Sequence, residues 1–166
     1  KIDSGKFDYN PKNYDIVSVI ENMCMSTAYF IKTKGLNIIF DTNCEEKIVA
    51  FDIDSMERII LNLISNAVKF NVPNGTIEVF LECLDDIKII IKDTGRGIEK
   101  EKLGKIFERF EQIKNTNKKE NEGSGIGLSL VKSLVEIQGG TINVESELNV
   151  GTTFTITMPN YYINSN

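Results

Sequence analysis

Met56-Glu57-Arg58-Ile59-Ile60-Leu61-Asn62-Leu63-Ile64-Ser65-Asn66-Ala67-Val68-Lys69-Phe70 is the stretch on which the reading of this chain turns. Met56, Ile59, Ile60, Leu63, Ile64, Ala67 and Phe70 recur at intervals of three and four, the period of a helix with one apolar face. Asp54 or Ser55 is the expected N-cap. The side away from the main apolar stripe stacks Arg58, Asn62, Asn66 and Lys69, spaced four, four and three. Asparagine is a poor helix former, so two of them on one face sacrifice propensity where alanine would serve.

Working outward, Ile16, Ile20, Met23, Thr27 and Phe30 or Ile31 share helical spacing, and Gly35 stops that helix. Residues 7–14 read as an extended entry, and two short strands are expected at 36–41 and 47–51. Downstream, 76–83 and 87–92 alternate as a hairpin turning at 84–86, with Asp93 at its exit. Residues 99–123 lose the pattern: Leu103, Ile106, Phe107 and Phe110 suit short helical turns, but 114–122 have almost nothing to bury. Such a segment inside a compact domain reads as a mobile functional loop or as disorder. A helix at 128–138, capped by Gly139-Gly140, and a hairpin of 141–146 with 152–158 complete the series. Helices interleaved with hairpins predict an α/β two-layer sandwich, a mixed and mostly antiparallel sheet with helices on one face.

The 166 residues suffice for one domain with a sizeable core. A net charge of −5, with no basic stripe, argues against a nucleic-acid surface. Cys24, Cys44 and Cys83 are odd in number and far apart, so the expectation is buried thiols rather than a disulfide framework, and the lack of histidine argues against a zinc site. No apolar run is long enough to cross a bilayer. The start at Lys1, without methionine and within a polar segment, suggests a piece of a longer protein.

The polar groups point to a phosphate-bearing ligand. A neutral carboxamide oxygen, as on Asn66, suits Mg²⁺ beside phosphates, because that ion keeps most of its waters and takes few protein ligands. Lys69 supplies a point charge, whereas Arg58 reads better as solvated surface. Gly123-Ser124-Gly125-Ile126-Gly127-Leu128 opens a helix, where free N–H groups and the dipole favour an anion. It lacks the Lys-Ser of a Walker loop and comes too late for a Rossmann turn.

Taken in order, the segments resemble the ATP-binding domain of sensor histidine kinases, of the Bergerat fold shared with gyrase, heat-shock chaperone and mismatch-repair ATPases. Residues 64–70 resemble the N box, Asp93-Thr94-Gly95-Arg96-Gly97 the G1 box, Ile106-Phe107-Glu108-Arg109-Phe110 the F box, the glycine loop the G2 box, and Gly151-Thr152-Thr153-Phe154 the last box. Asn71 stands where Thr or Ser is commoner and is expected to touch nothing central. The resemblance implies Asn66 as the Mg²⁺ ligand, and Asn62, Asn66 and Lys69 as catalytic residues. It implies ATP contacts from Asn66, Lys69, Phe70, Asp93, Gly95, Gly97, Ile98, Phe107, Arg109, Gly123, Gly125, Ile126, Gly127, Leu128 and Thr152. Asp93 would accept a hydrogen bond from the adenine amine; guanine presents a carbonyl there, leaving two acceptors face to face. Where the hydrolytic relatives carry a glutamate base, Asn62 offers an amide that takes no proton.

By the same resemblance, residues 1–6 are the end of a dimerisation helix or linker, 7–159 the catalytic ATP-binding domain with a lid at 99–123, and 160–166 a tail. The implied activity is phosphoryl transfer from ATP to a histidine on a separate dimerisation domain, in a two-component system. The implied partners are that domain and a response regulator, with no nucleic acid and no direct membrane contact. This piece would be monomeric and cytoplasmic within a homodimeric parent, membrane-anchored or not. The alternatives are a serine kinase of the anti-sigma type and a nucleotide-sensing module without transfer activity.

Overall fold

The computed structural model describes residues 8–108 and 127–164. Along the chain run β1 (Lys12–Asp15), α1 (Ile16–Thr33), β2 (Asn37–Thr42), β3 (Ile48–Phe51), α2 (Ile53–Lys69), β4 (Thr76–Cys83) and β5 (Ile87–Asp93). A 3-10 turn (Lys100–Lys105), α3 (Gly127–Ile137), β6 (Thr141–Glu147) and β7 (Gly151–Met158) follow. A five-stranded sheet has the order β2-β4-β5-β7-β6, with β2 parallel to β4 and every other pair antiparallel. The expected mixed sandwich is therefore the fold observed. β1 and β3 form a separate antiparallel pair, a pairing the extended entry segment did not announce.

The core lies between one sheet face and the helices. β4 sends Ile77, Val79 and Leu81 inward and β5 sends Ile87, Ile89 and Ile91, all at most 1% exposed. Against them pack Ile59, Ile60, Leu63, Ile64 and Ala67 of α2, Ile16, Ile20 and Ile31 of α1, and Val131, Leu134 and Val135 of α3. The alternation of strand residues and the three-and-four spacing of helix residues thus face one another across a single dry layer.

Asp52, not Asp54 or Ser55, caps α2. Its Oδ1 accepts from the Ser55 amide at 2.9 Å and its Oδ2 from the Asn10 amide at 2.8 Å, so the buried carboxylate also ties down the entry segment. The sequence placed the cap inside the first turn because three candidate oxygens, Asp52, Asp54 and Ser55, stand within four residues; only Asp52 precedes the helical dihedrals. At the other end Gly35, at φ +76°, follows α1 as expected.

Candidate nucleotide site

At the C-terminal ends of α2 and β5 lies a cavity of about 270 Å³, lined by Asn66, Phe70, Asp93, Arg96, Gly97, Ile98, Glu99, Lys102, Leu128, Leu148, Asn149, Thr152 and Phe154. Three separated stretches, 66–70, 93–98 and 152, converge there. The means of convergence is backbone to backbone: the Arg96 amide donates to the Phe70 carbonyl at 3.1 Å, so the loop after β5 closes onto the end of α2. A Cβ on Gly95 would sit 2.5 Å from that same carbonyl oxygen, which is why the position takes glycine.

Asp93 ends β5 in register with Thr152 of β7 and Ile77 of β4. It is 9% exposed. Its Oδ1 accepts from the Gly95 amide at 2.8 Å and from the Thr152 amide at 3.2 Å. Among the described residues Oδ2 accepts from none, and it is the atom left to face a ligand. Burial raises the Asp93 carboxyl above the usual aspartate value, the two amides pulling the other way.

Thr152 adds a second acceptor by elimination. The Ser146 hydroxyl donates to the Gly151 carbonyl at 3.0 Å and accepts from the Ile98 amide at 2.8 Å. Its single proton is thereby committed, so Thr152 Oγ1 is the donor across the 2.8 Å contact with Ser146 and keeps only lone pairs. A carboxylate oxygen and a hydroxyl whose proton is already engaged with Ser146 select a donor on the ligand, as the exocyclic amine of adenine is and the carbonyl of guanine is not. Ile98, Leu128, Leu148 and Phe154 supply apolar walls suited to a flat base.

On α2 the four stacked polar residues divide. Asn66 is half-buried and lines the cavity. Asn62 lies one turn earlier; its amide donates to the Arg58 carbonyl at 2.7 Å, and its Oδ1 stands 3.4 Å from where a Gly127 Cβ would be. It therefore sits where α2 meets the start of α3, off the cavity wall. Lys69 and Arg96 both lie over the Phe70 ring, at 5.5 Å and 4.9 Å from its centroid, putting two cations at the edge of the pocket.

Gly97 holds φ +74°, and a Cβ there would run into the Glu147 carbonyl oxygen. The β6–β7 turn is pressed against this loop, with the Asn149 amide donating to the Arg96 carbonyl at 2.7 Å. The Phe107 ring meets Phe154, a residue of the cavity lining, edge-on at 6.3 Å and lies 5.8 Å under the Lys132 ammonium. Gly127 opens α3 as expected. Arg109, Gly123, Gly125 and Ile126, and the segment 114–122, fall outside the described residues, as do residues 1–6.

One expectation is overturned outright. Asn71 is central: its Oδ1 accepts from the Thr94 hydroxyl at 3.0 Å and from the Val72 amide at 2.8 Å, and its Nδ2 donates to the Thr76 carbonyl at 3.2 Å. It laces the end of α2 to the loop after β5. The sequence reading also passed over Arg96, Asn149 and Ser146. Arg96 lay within the quoted loop; Ser146 and Asn149 carried no signal, because their roles depend on a turn of β6–β7 folding back across the sheet end.

Comparison with known proteins bears on the same residues. Hybrid signal transduction histidine kinase D of Dictyostelium discoideum is 32% identical over 165 residues, covering 96% of this chain and 11% of that protein. Sensor protein SrrB of Staphylococcus aureus is 32% identical over 160 residues, covering 96% of this chain and 27% of that protein. The chain thus spans under a third of either relative. The structure of full-length ShkA in complex with AMPPNP superposes with a TM-score of 0.82 at 24% identity, covering 96% of this chain and 33% of that one. The family described as "Histidine kinase-, DNA gyrase B-, and HSP90-like ATPase" matches residues 51–161. That match takes in α2, the loop after β5 and the Gly151-Thr152 turn, the elements that meet at the cavity, and the chain belongs to this family of ATPases.

Proposed function

We propose that this chain binds ATP with Mg²⁺ and is the catalytic domain of a protein-histidine kinase, phosphorylating a histidine on a separate dimerisation domain that in turn serves a response regulator. The observation that carries it is the meeting of Asn66 and Asp93 on one cavity, with the Asp93 carboxylate beside Thr152. The residues fit the ligand. A buried carboxylate oxygen that accepts from no donor among the described residues suits the adenine amine, and the half-buried Asn66 carboxamide on the same cavity suits a hard cation.

Mg²⁺ at Asn66 would neutralise charge on the phosphates during transfer. The chain's own part is positioning: Asp93 and Thr152 fix the base, Phe70 and the aliphatic residues flank it, and Lys69 and Arg96 place positive charge beside it. Gly125 to Leu128 are assigned the phosphates on the resemblance of the glycine loop. Asn62 supports transfer over hydrolysis. Its amide cannot take a proton from water, whereas a neutral imidazole brings its own lone pair. With no histidine in its sequence, the chain cannot be its own acceptor.

The test uses radiolabelled ATP. Alone, the protein should acquire no acid-labile, base-stable phosphate. Mixed with a histidine-bearing dimerisation domain of its parent, it should label that domain with phosphoramidate stability. An acid-stable ester on a serine would replace this reading with the anti-sigma type of kinase.

A further inference from the structure

Cys44 and Cys83 are 39 positions apart in sequence and adjacent in the fold. β2 and β4 are parallel, with Thr42 opposite Leu81; two residues further on, Cys44 just past the end of β2 lies beside Cys83 at the end of β4. The Cys44 thiol donates to Cys83 Sγ at 2.6 Å. Adjacent strands lie about 4.8 Å apart, within the range of Cα separations that a disulfide spans. The contact is held in place by its surroundings: Thr42 Oγ1 donates to the Leu81 carbonyl and accepts from the Cys44 amide, and Asn43 Oδ1 accepts from the Cys83 amide.

The pair is also accessible. Cys44 lines a surface cavity of about 430 Å³ together with Val17, Glu21, Phe40 and Asn43. Cys24, by contrast, is 3% exposed in the core. Both members of the pair are free thiols.

We propose that Cys44 and Cys83 are a redox modification site, closing to an intramolecular disulfide at the sheet edge by exchange with a low-molecular-weight disulfide. Cys44 loses its proton to solvent and its sulfur attacks one sulfur of the donor R–S–S–R, forming Cys44–S–S–R and releasing one thiolate. Cys83 then attacks Cys44 Sγ and displaces the second thiolate. The two protons given up by the protein are taken by those thiolates, so two protein thiols and one R–S–S–R become one protein disulfide and two R–SH. The order follows from access, since Cys44 lines the open cavity. It also follows from the Cys83 thiol, which burial and its neighbour push up to about 12.

The site lies far from the nucleotide cavity. Thr76, at the start of β4, bonds to the loop after β5 through Thr94, and Cys83 ends the same eight-residue strand, roughly 24 Å away at the rise of an extended chain. The disulfide would tie the edge strand β2 to β4 and enclose α2 within the closed loop. Its effect should be read as rigidity rather than as a change in the base pocket.

The experiment treats the protein with oxidised glutathione, blocks remaining thiols, and maps peptides by mass spectrometry. Two of the three thiols should be lost, with Cys44 and Cys83 joined in one cross-linked peptide pair and Cys24 alkylated only after unfolding. The melting midpoint should rise by roughly 5 °C or more, and dithiothreitol should reverse both changes. Cys83→Ser should stop at a glutathione adduct on Cys44, and Cys44→Ser should take up none at Cys83. Free thiols at both positions, a stable adduct in the unaltered protein, a cross-link between two chains, or a closed disulfide that lowers the midpoint would each overturn the proposal. Because the first readout is on the unaltered protein, a variant that fails to fold leaves the decision intact.

Discussion

The two sides of the nucleotide cavity are built by different means. The base side is backbone: Asp93 is pinned by the amides of Gly95 and Thr152, the following loop is bonded to Phe70 on one flank and Asn149 on the other, and glycines stand where any side chain would collide. The α2 side is a regular helix whose groups proposed for metal and phosphate, Asn66 and Lys69, are side chains on a half-buried or exposed face. Reading one donor pattern against another requires acceptors that cannot turn to suit the wrong ligand. Holding a cation and phosphates requires charge and reach, which rotatable side chains supply.

The contrast is broken hardest at Asn66. Asn66→Ala should reduce phosphoryl transfer to a supplied histidine domain by roughly 10²–10³-fold, the usual loss for one electrostatic partner of a transition state. ADP affinity without Mg²⁺ should stay near that of the unaltered protein. Equal loss of both in single-turnover and calorimetric assays would mean that α2 holds the base as well as the metal.

On the backbone side the corresponding break is Gly97→Ala. Forcing a Cβ into the left-handed region costs about 1–3 kcal/mol, and here it also meets the Glu147 carbonyl. The loss should appear as a lower denaturant midpoint together with weaker ATP binding. A variant of unchanged stability would show that the β6–β7 turn is not seated on this loop.

Asp93→Ala sharpens the difference. Deleting a buried acceptor of this kind costs ~1–3 kcal/mol, which should weaken ATP by roughly 5- to 150-fold. The preference for ATP over GTP should fall with it, and isothermal titration of both nucleotides decides the matter. Equal affinities in the unaltered protein would remove Asp93 from base recognition.

The smallest effect is on pH. The Asp93 carboxyl is raised above 3.8, by burial first. A folded pKa above the unfolded one means that folding favours the protonated form, so the Asp93 contribution to stability is full at low pH and is lost as pH rises through the folded pKa. Binding runs the opposite way, because the ligand's amine needs the ionised oxygen. ATP affinity should therefore rise across the same interval in an acid-to-neutral titration series. Asp93→Asn should flatten that rise, and a slope persisting in the variant would assign it to another group.

Much of this was legible in the sequence for a physical reason. α2, β4 and β5 are regular elements half-buried in one core, so their periodicity is printed in their residues, and the polar exceptions on α2 stood out against it. Asp93 was legible because it ends such an element. Asn71, Ser146 and Asn149 were not, since each acts through hydrogen bonds to loops distant in sequence, and nothing in a local pattern reports which turn will fold across which. The Cys44–Cys83 contact escaped because parallel pairing joins residues through a crossover whose register no local spacing encodes.

The bond from the Arg96 amide to the Phe70 carbonyl also bears on where this chain can change length. Together with Asn71 and Thr94 it ties the end of α2 to the end of β5, so a residue added to or deleted from 71–75 should strain these bonds. The turn at 84–86, at the far end of the same hairpin, carries no such tie to the cavity. Insertions that descendants of this chain accumulate, or that an engineer chooses for a tag or a reporter, belong at that turn, where the sheet can grow a longer loop without moving a cavity residue.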